Sequence, residues 1–552
     1  MTPDDLSSAL ASALREATQN GDLSIAVDAL PEQVRVERPK NRDHGDWATN
    51  IALQLAKPAG QNPRVLAELL QPRFAAIEGV ATVDIAGPGF LNFTLDTAAA
   101  AALAKDIVEA GAAFGSNNSM AGRIINLEFV SANPTGPLHL GHTRWAALGD
   151  AIGRVLRASG AQVNTEYYIN DAGLQMNNFA ASVLAAIKGE PTPENGYPGA
   201  YIDDLAQTVS SEHPELRQLE DAAALPIVRA AAYAAQMADI KKTLLDFAVH
   251  FDVFFSEQEL HSNAAVEKAV ERLREQGHVF DQDGAIWLRT TDFGDDKDRV
   301  LIRSNAEPTY FAADAAYYLA KKDRGFAEKI YLLGADHHGY IGRLKAIAAC
   351  AGDDPETSIE VLIGQLVSIN GARLSKRAGN IIELRDLLNW LGADALRYSL
   401  ARYPADSPLT LDPEQLRKAS NDNPVFYVQY AHARTNAVAR NALAAGVGST
   451  PEANFNAALL EHPSESELLA QLAAFPAVVA DAARFREPHR VARHLEVLAG
   501  AYHRWYDSCR VVPAAGDEID DANRSRLWLN NATGQVLANG LGLLGVSAPE
   551  RM

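Results

Sequence analysis

Residues 124–160, IINLEFVSANPTGPLHLGHTRWAALGDAIGRVLRASG, decide the fold. Ile124 to Val130 is an apolar run broken by one carboxylate, Glu128. Asn133-Pro134-Thr135-Gly136-Pro137 then forbids both a strand ladder and a helix. After His139-Leu-Gly-His142 come Trp145, Leu148, Ile152, Val155 and Leu156 at helical spacing. Strand, tight loop and helix make the first half of a βαβ unit, and a second strand, Gln162 to Asn170, follows Gly160. Such a unit presents its loop at the carboxyl edge of a parallel sheet, where nucleotides bind. Two imidazoles at the mouth of a helix can donate to phosphate oxygens, aided by the free N–H groups and positive end of the helix. Gly141 between them leaves room for a flat ring against the backbone. No GxxxxGK[ST] sequence is present, which excludes the lysine-bearing phosphate loop. A polar loop with two surface histidines fits the same residues, and a metal pair would need a third ligand.

Outward from this stretch, 552 residues are too many for one core and predict roughly two to four domains. Lys+Arg 50 against Asp+Glu 70 gives a net charge of −20, which argues against a blanket nucleic-acid coat and leaves only local basic faces. Cys350 and Cys509 are the only cysteines, which suggests a reducing compartment. The acidic start MTPDDLSSALASALREATQ lacks the pattern of a signal peptide, and no uncharged apolar run reaches the length of a membrane span. The expected location is cytoplasmic.

Residues 1–115 read as a separate α/β module. It holds a helix from Asp5 to Gln19, a strand-like Gln33–Glu37, helices over Thr49–Ala56 and Pro63–Phe74, and a hairpin of Thr82–Ile85 with Phe90–Leu95. Arg38, Lys40 and Arg42, beside His44 and Trp47 in an exposed-looking loop, could touch a nucleic-acid backbone or simply be solvated. Gly111–Gly122 is the expected linker. An α/β doubly wound domain follows over 123–403, interrupted by an insertion at about 189–251 that opens with the turn-rich GEPTPENGYPGAY. Strand-like Val300–Arg303, Lys329–Leu333 and Ile359–Ile363 alternate with helical Tyr310–Lys322 and Ile341–Ala351, and are expected to complete the parallel sheet. Pro404–Pro413 is a boundary, and 412–552 has helical periodicity throughout, as an all-α bundle would.

The run Ala132, Asn133, Pro134, Thr135, Gly136, Pro137, Leu138, His139, Leu140, Gly141, His142 resembles the HIGH signature of class I aminoacyl-tRNA synthetases, in the wording of the arginyl members. Gln365–Asn380 is a hairpin-like run that ends in a basic loop, and within it Arg373-Leu-Ser-Lys-Arg377 resembles the KMSKS loop of the same class, with the second lysine kept as Lys376. A cationic loop of this kind suits a departing pyrophosphate. Gly392-Ala-Asp-Ala-Leu-Arg397 resembles the DALR sequence of a helical anticodon-binding domain, and Asn423–Arg434 its early helix. The likeness therefore spans nearly the whole chain, with a Rossmann-like catalytic domain, an N-terminal domain touching the tRNA elbow and a C-terminal anticodon-binding domain.

The resemblance implies ATP-dependent attachment of arginine to its tRNA by a monomer. His139, His142 and Lys376 would be catalytic, and Pro137, Leu138, His139, Gly141, His142, Gly334, Asp336, His337, Ser375, Lys376 and Arg377 would hold ATP. Magnesium would come with the nucleotide, held by phosphates and water rather than by a protein cage. Glu128, Ser131, Asn133, Tyr310 and Asp314 would hold arginine: carboxylates, an amide and a phenol supply the acceptors a guanidinium needs. On the residues alone, Glu128 could instead pair with an internal lysine or arginine, and Asp314 could be an ordinary helix-face carboxylate. Asp336, His337 and His338 could be metal ligands, although no cysteine or further acid accompanies them. Tyr427, Gln429, Tyr430, Arg434, Arg490 and Arg504 are the expected tRNA contacts, because aromatics interleaved with amides and cations suit unstacked bases. Arg484 to Arg510 holds six arginines against three acids, a local reversal of the overall charge. A synthetase for another amino acid, or an inactive RNA-binding relative, would share part of this pattern.

Overall fold

The computed structural model describes residues 3–39, 44–262, 264–365, 367–370, 382–448, 455–514 and 516–552. At the N-terminus the helix Pro3–Gln19 leads into a three-stranded antiparallel sheet of β1 (Trp47–Thr49), β2 (Val80–Ala86) and β3 (Phe90–Leu95), with β3 in the middle. Two helices, Ile51–Ala59 and Pro63–Ala75, pack on it through Leu55, Leu66, Leu70 and Phe74. The expected strand at Gln33–Glu37 is reduced to a single bridge between Glu37 and Ala48, because β1 offers only three residues to pair with. Trp47, read as part of an exposed loop, is buried as the first residue of β1, whereas His44 is exposed. Lys40 and Arg42 lie outside the described residues. A helix over Thr97–Ala110, which the sequence reading did not find, joins this module to the linker.

The central sheet is parallel and five-stranded: β4 (Ile124–Glu128), β5 (Gln162–Ile169), β6 (Val253–Ser256), β10 (Glu328–Gly334) and β11 (Ile359–Gly364), in the order β11-β10-β4-β5-β6. The strand order reverses between β4 and β10, which opens a crevice beyond their carboxyl ends. Glu128 closes β4 and Gly334 closes β10, so the topology alone brings these two residues to the crevice. The insertion forms helices Ala200–Glu212 and Asp221–Asp246, which pack with Leu174–Lys188 around Phe179, Val183, Val209 and Val228.

One sequence expectation is corrected here. Val300–Arg303 is realised as β9 (Arg299–Ile302), but it pairs with β8 (Ala285–Leu288), which pairs with β7 (Val279–Gln282), in a separate antiparallel sheet. The fifth strand of the parallel sheet is instead β6, whose four residues VFFS were passed over. Of Gln365–Asn380, read as hairpin-like, residues 366 and 371–380 lie outside the described residues. Its β12 (Val367–Ile369) runs parallel to β13 (Leu409–Leu411), inside the stretch read as a boundary.

Two glycines set how closely the helix Leu140–Ala158 sits on the sheet. A Cβ on Gly149 would lie 2.2 Å from the Phe129 ring, and one on Gly364 would lie 1.4 Å from Trp145. Buried Arg144 on this helix donates to the carbonyls of Gln365, Pro404 and Ser407 at 2.7–3.0 Å. Asp150 accepts from Arg397, which is fully buried and also donates to the carbonyls of Phe247, Ala248 and Leu544. Arg397 in the DALR-like sequence is thus an internal joint between the helix Leu140–Ala158, the end of the insertion and the C-terminal residues at Leu544.

The C-terminal part is a helical bundle of Pro424–Ala444, Pro463–Phe485, His489–Ser508 and Asp521–Leu543. Pro463–Phe485 is long and apolar enough to cross a membrane by composition, yet its Leu468, Leu472, Phe475, Val479 and Ala483 are buried in the core of the bundle.

Candidate active site

The site grows from the N-terminus of the helix Leu140–Ala158. His139 caps it in an extended conformation, and its Nδ1 accepts from Gly141 N at 3.1 Å. His142 Nδ1 accepts in turn from His139 N at 3.3 Å, which closes a reciprocal capping box. The ring centroids are 3.9 Å apart. A Cβ on Gly141 would fall 2.9 Å from His139 Cε1, so the ring that needs this glycine is that of its own cap. Burial pushes His139 below its ordinary value, while burial and then the neighbouring imidazole push His142 down to about 3. Both rings are therefore neutral near pH 7, with Nδ1 as acceptor and Nε2 as the donor.

This alters the anion site expected from the sequence. Leu140 N donates to Ile382 O at 2.9 Å, Gly141 N to His139 Nδ1, and His142 N to His139 O at 2.8 Å. The first amides of the helix are taken, and what remains for an anion is the pair of Nε2–H donors and the helix dipole. Leu384 N donates to Leu138 O at 2.7 Å, and His139 bridges to Glu383, so the chain leaving the KMSKS-like segment is stitched to the HIGH-like loop. Arg373, Ser375, Lys376 and Arg377 themselves lie outside the described residues. Asp336 and His337 follow Gly334 in the turn Ala335–Tyr340; their side chains, like that of His338, lie outside what is described.

Between β4 and the proline-rich loop, Val130 and Ser131 have φ of 68° and 43°. Two consecutive non-glycine residues in the left-handed region are strained, and for β-branched Val130 the geometry is rare. Neighbours hold them there: Tyr167 Oη donates to Ala132 O at 2.8 Å, and Ser131 Oγ accepts from Tyr168 N at 3.2 Å while donating to Glu128 Oε1 at 3.3 Å. The HIGH-like run is not uniformly exposed. Pro134 and Thr135 make its turn, and both are buried, as are Ala132 and Leu138. Pro134 has no N–H to offer a phosphate, and its fixed φ shapes the turn from within, so it is a structural member of the motif rather than a contact. Tyr201 of the insertion donates to Thr135 O at 3.0 Å, its ring over Gly136.

Three carboxylates converge on the crevice. Glu128 is buried, and its Oε2 accepts from Lys321 Nζ at 2.6 Å, so the internal pairing that the sequence left open is present. Asp314 accepts from Tyr340 Oη, and its carboxyl is pushed up to about 8 by burial, then by Glu257 and Glu128, against the opposing pull of Arg343. Glu257, which the sequence reading missed, is buried at the start of the helix Glu257–Ser262, and burial raises it as well. Its only sequence signal is its place directly after a strand too short to be noticed. Tyr310 heads the helix that carries Asp314 and is exposed at the mouth of a cavity of about 480 Å³, lined also by Glu257, His261, Arg229 and Arg303. Asn133 is exposed and donates to Gln175 Oε1 at 2.8 Å. Among the described residues no group of three or more His, Cys, Asp or Glu could hold a metal ion. Buried carboxyls crowded together, with burial raising both Asp314 and Glu257, are a site for an organic cation.

On the bundle, the expected RNA contacts separate. Arg434 stacks on Tyr430 at 4.7 Å and on Tyr506 at 4.8 Å, Phe426 stacks on Tyr430, and Tyr427 packs against His503. Gln429, in contrast, is buried and donates to Asp394 at 2.8 Å and to Ser547 O at 3.0 Å, which turns it inward. Arg490 pairs with Glu487 and lies over exposed Phe485, and Arg504 pairs with Glu467. Arg486 is buried against Glu360, which removes one of the six arginines from the surface.

A parallel sheet with this switch point, an imidazole-capped helix and an appended bundle is the class I aminoacyl-tRNA synthetase architecture. Residues 106–402 match the family described as tRNA synthetases class I (R), catalytic domain; residues 4–95 match the arginyl tRNA synthetase N terminal domain, and 428–552 the DALR anticodon binding domain. The arginine–tRNA ligases of Renibacterium salmoninarum and Micrococcus luteus are 77% and 67% identical to this chain, with 100% of each chain covered. Arginyl-tRNA synthetase of Thermus thermophilus shares the fold with a TM-score of 0.75 at 23% identity, with 100% of both chains covered. The chain belongs to the arginyl-tRNA synthetase family.

Proposed function

We propose that this protein joins L-arginine to tRNA(Arg) at the expense of ATP, as its curated relatives are named for doing. The arginine carboxylate attacks the α-phosphorus of ATP to give arginyl-adenylate and pyrophosphate; a ribose hydroxyl at the tRNA 3′ end then attacks the adenylate carbonyl and releases AMP. His139 and His142, as neutral Nε2–H donors, would steady the charge that develops on the phosphates. Lys376, with Ser375 and Arg377, would follow the leaving pyrophosphate, and Pro137, Leu138, Gly141, Gly334, Asp336 and His337 would seat the nucleotide. Magnesium would ride on the phosphates, neutralising charge without a protein cage. Catalysis rests on positioning, and no protein general base is needed.

The observation that carries the choice of amino acid is the convergence of Glu128, Glu257 and Asp314. A guanidinium supplies the positive charge that lets Asp314 ionise, with Tyr310 at the entrance. Ser131 would steady Glu128, and Asn133 would serve the loop entrance. In the proposed division of labour, 1–115 touches the tRNA elbow, 123–403 carries the chemistry, and 412–552 receives the anticodon on Tyr427, Tyr430 and Arg434, with Arg490 and Arg504 facing phosphate. The enzyme would act as a cytoplasmic monomer, and activation would require bound tRNA. Arginine-dependent ATP–pyrophosphate exchange, with and without tRNA, tests this. Exchange only with tRNA, collapsing at limiting arginine in Glu128→Gln, is expected. Exchange with a different amino acid alone would overturn the substrate, and exchange without tRNA would overturn the coupling.

A further inference from the structure

Lys321 has no place in the two-step reaction, yet it is held more tightly than any exposed lysine could be. It sits in the last turn of the helix Tyr310–Asp323 and is fully buried. Its Nζ donates to Glu128 Oε2 at 2.6 Å and lies 4.4 Å from the Tyr317 ring centroid and 4.2 Å from that of Tyr331. A desolvated ammonium needs such partners, and each fixes it further. The Tyr317 ring is itself anchored, because its hydroxyl donates to Glu166, which also accepts two bonds from Arg324 at 2.6 and 3.0 Å. Arg324, Glu166, Tyr317, Lys321 and Glu128 thus form a column running through the sheet to the crevice. The column ends on Glu128 Oε1, whose only bond in the described structure is the Ser131 hydroxyl at 3.3 Å.

We infer that Lys321 is a positioning residue for arginine: by binding Oε2 it holds the Glu128 carboxylate in one orientation, so that Oε1 faces the substrate. This rests on Glu128 contacting arginine, as proposed above. Without Lys321, Glu128 would stand beside Asp314 and Glu257 with no cation of its own, and the relief would be a turn of its side chain away from them. That turn removes an acceptor from the pocket without touching the phosphates. Lys321 contacts no substrate and stands one residue pair away from the reaction, so its loss should fall on arginine binding alone.

The test is steady-state aminoacylation by Lys321→Met, an uncharged side chain of similar length, beside Glu128→Gln and the double variant. Lys321→Met is expected to raise KM for arginine by about tenfold or more, with KM for ATP and kcat at saturating arginine within about threefold of wild type, the pattern of lost ground-state binding. The double variant carries no unpaired buried charge and should match Glu128→Gln alone in KM for arginine. It also keeps the question answerable where Lys321→Met folds poorly, because an effect of Lys321 that persists in the Glu128→Gln background cannot pass through Glu128. An equal rise in KM for arginine and ATP, or additive effects in the double variant, would overturn the inference and leave Lys321 a packing residue. If Glu128→Gln leaves KM for arginine unchanged, it is the reading of the pocket that fails.

Discussion

The neutral state of His142 has a consequence that can be followed by pH. Its folded value is pushed down to about 3 from an ordinary 6.5, first by burial and then by His139. Because the folded chain resists the proton while the unfolded chain accepts it, the contribution of His142 is complete above pH 6.5 and is lost as pH falls toward 3. Between pH 6.5 and 5 the interval is about 1.5 units, or about 2 kcal/mol at 1.36 kcal/mol per unit. The solvent-facing edge of the half-buried ring trims this to about 1–2 kcal/mol. His142→Gln keeps an acceptor for His139 N but cannot take the proton. Urea unfolding of both proteins at pH 8, 6.5 and 5 should therefore show nearly parallel stabilities down to pH 6.5. Wild type should then fall about 1–2 kcal/mol further than the variant at pH 5. Curves that stay parallel to pH 5 would mean that His142 is not held neutral by its surroundings, and the assignment of Nε2 as its donor would fall with it.

Two other predictions concern joints and surfaces. Arg397→Met takes from buried Asp150 one of its two arginine partners, leaving Arg154, and strips donors from the carbonyls of Phe247, Ala248 and Leu544, so it should cost about 2–4 kcal/mol in urea unfolding; a loss under about 1 kcal/mol would mean that the joint is redundant. Arg434→Ala removes the cation stacked between Tyr430 and Tyr506 and should weaken tRNA binding by about 1–3 kcal/mol, read as a higher KM for tRNA with KM for ATP unmoved; an unchanged KM for tRNA would take this face out of the interface.

The strand, loop and helix at 124–160 were legible because period, breaker and motif agree there and because the loop is made by neighbours in sequence. Even so, the motif does not say which of its members are accessible: Asn133 is exposed, and Pro134 beside it is buried. What else escaped the sequence depends on distance along the chain. Glu128 could be seen as anomalous in its strand, but Lys321 lies 193 residues away and nothing local connects them. Val300–Arg303 has the same alternation whether it joins the parallel sheet or turns back on β8; only the packing decides. Glu257 follows a strand of four residues at the end of a long helical insertion, below the length at which periodicity speaks. On the bundle, composition marked Gln429 and Arg434 alike, and only their partners separate an inward tie from an outward stack. The free amides expected at the helix start were taken by a cap made from the same histidines that drew attention to the loop.

The pair of left-handed residues at Val130 and Ser131 bears on how such a loop is kept over generations. Val130→Gly would relieve roughly 1 kcal/mol or more of backbone strain, but the freer unfolded chain takes back about 0.4–1 kcal/mol. The two backbone effects nearly cancel, so what a screen for thermostability would read at this position is the packing of the side chain. Half-buried Val130 also packs against the central core, and a glycine there would unpin the first step of the loop that carries the histidines. Selection acting on folding sees this site through the packing of its side chain, and selection acting on the rate of the reaction sees it through the placement of the loop.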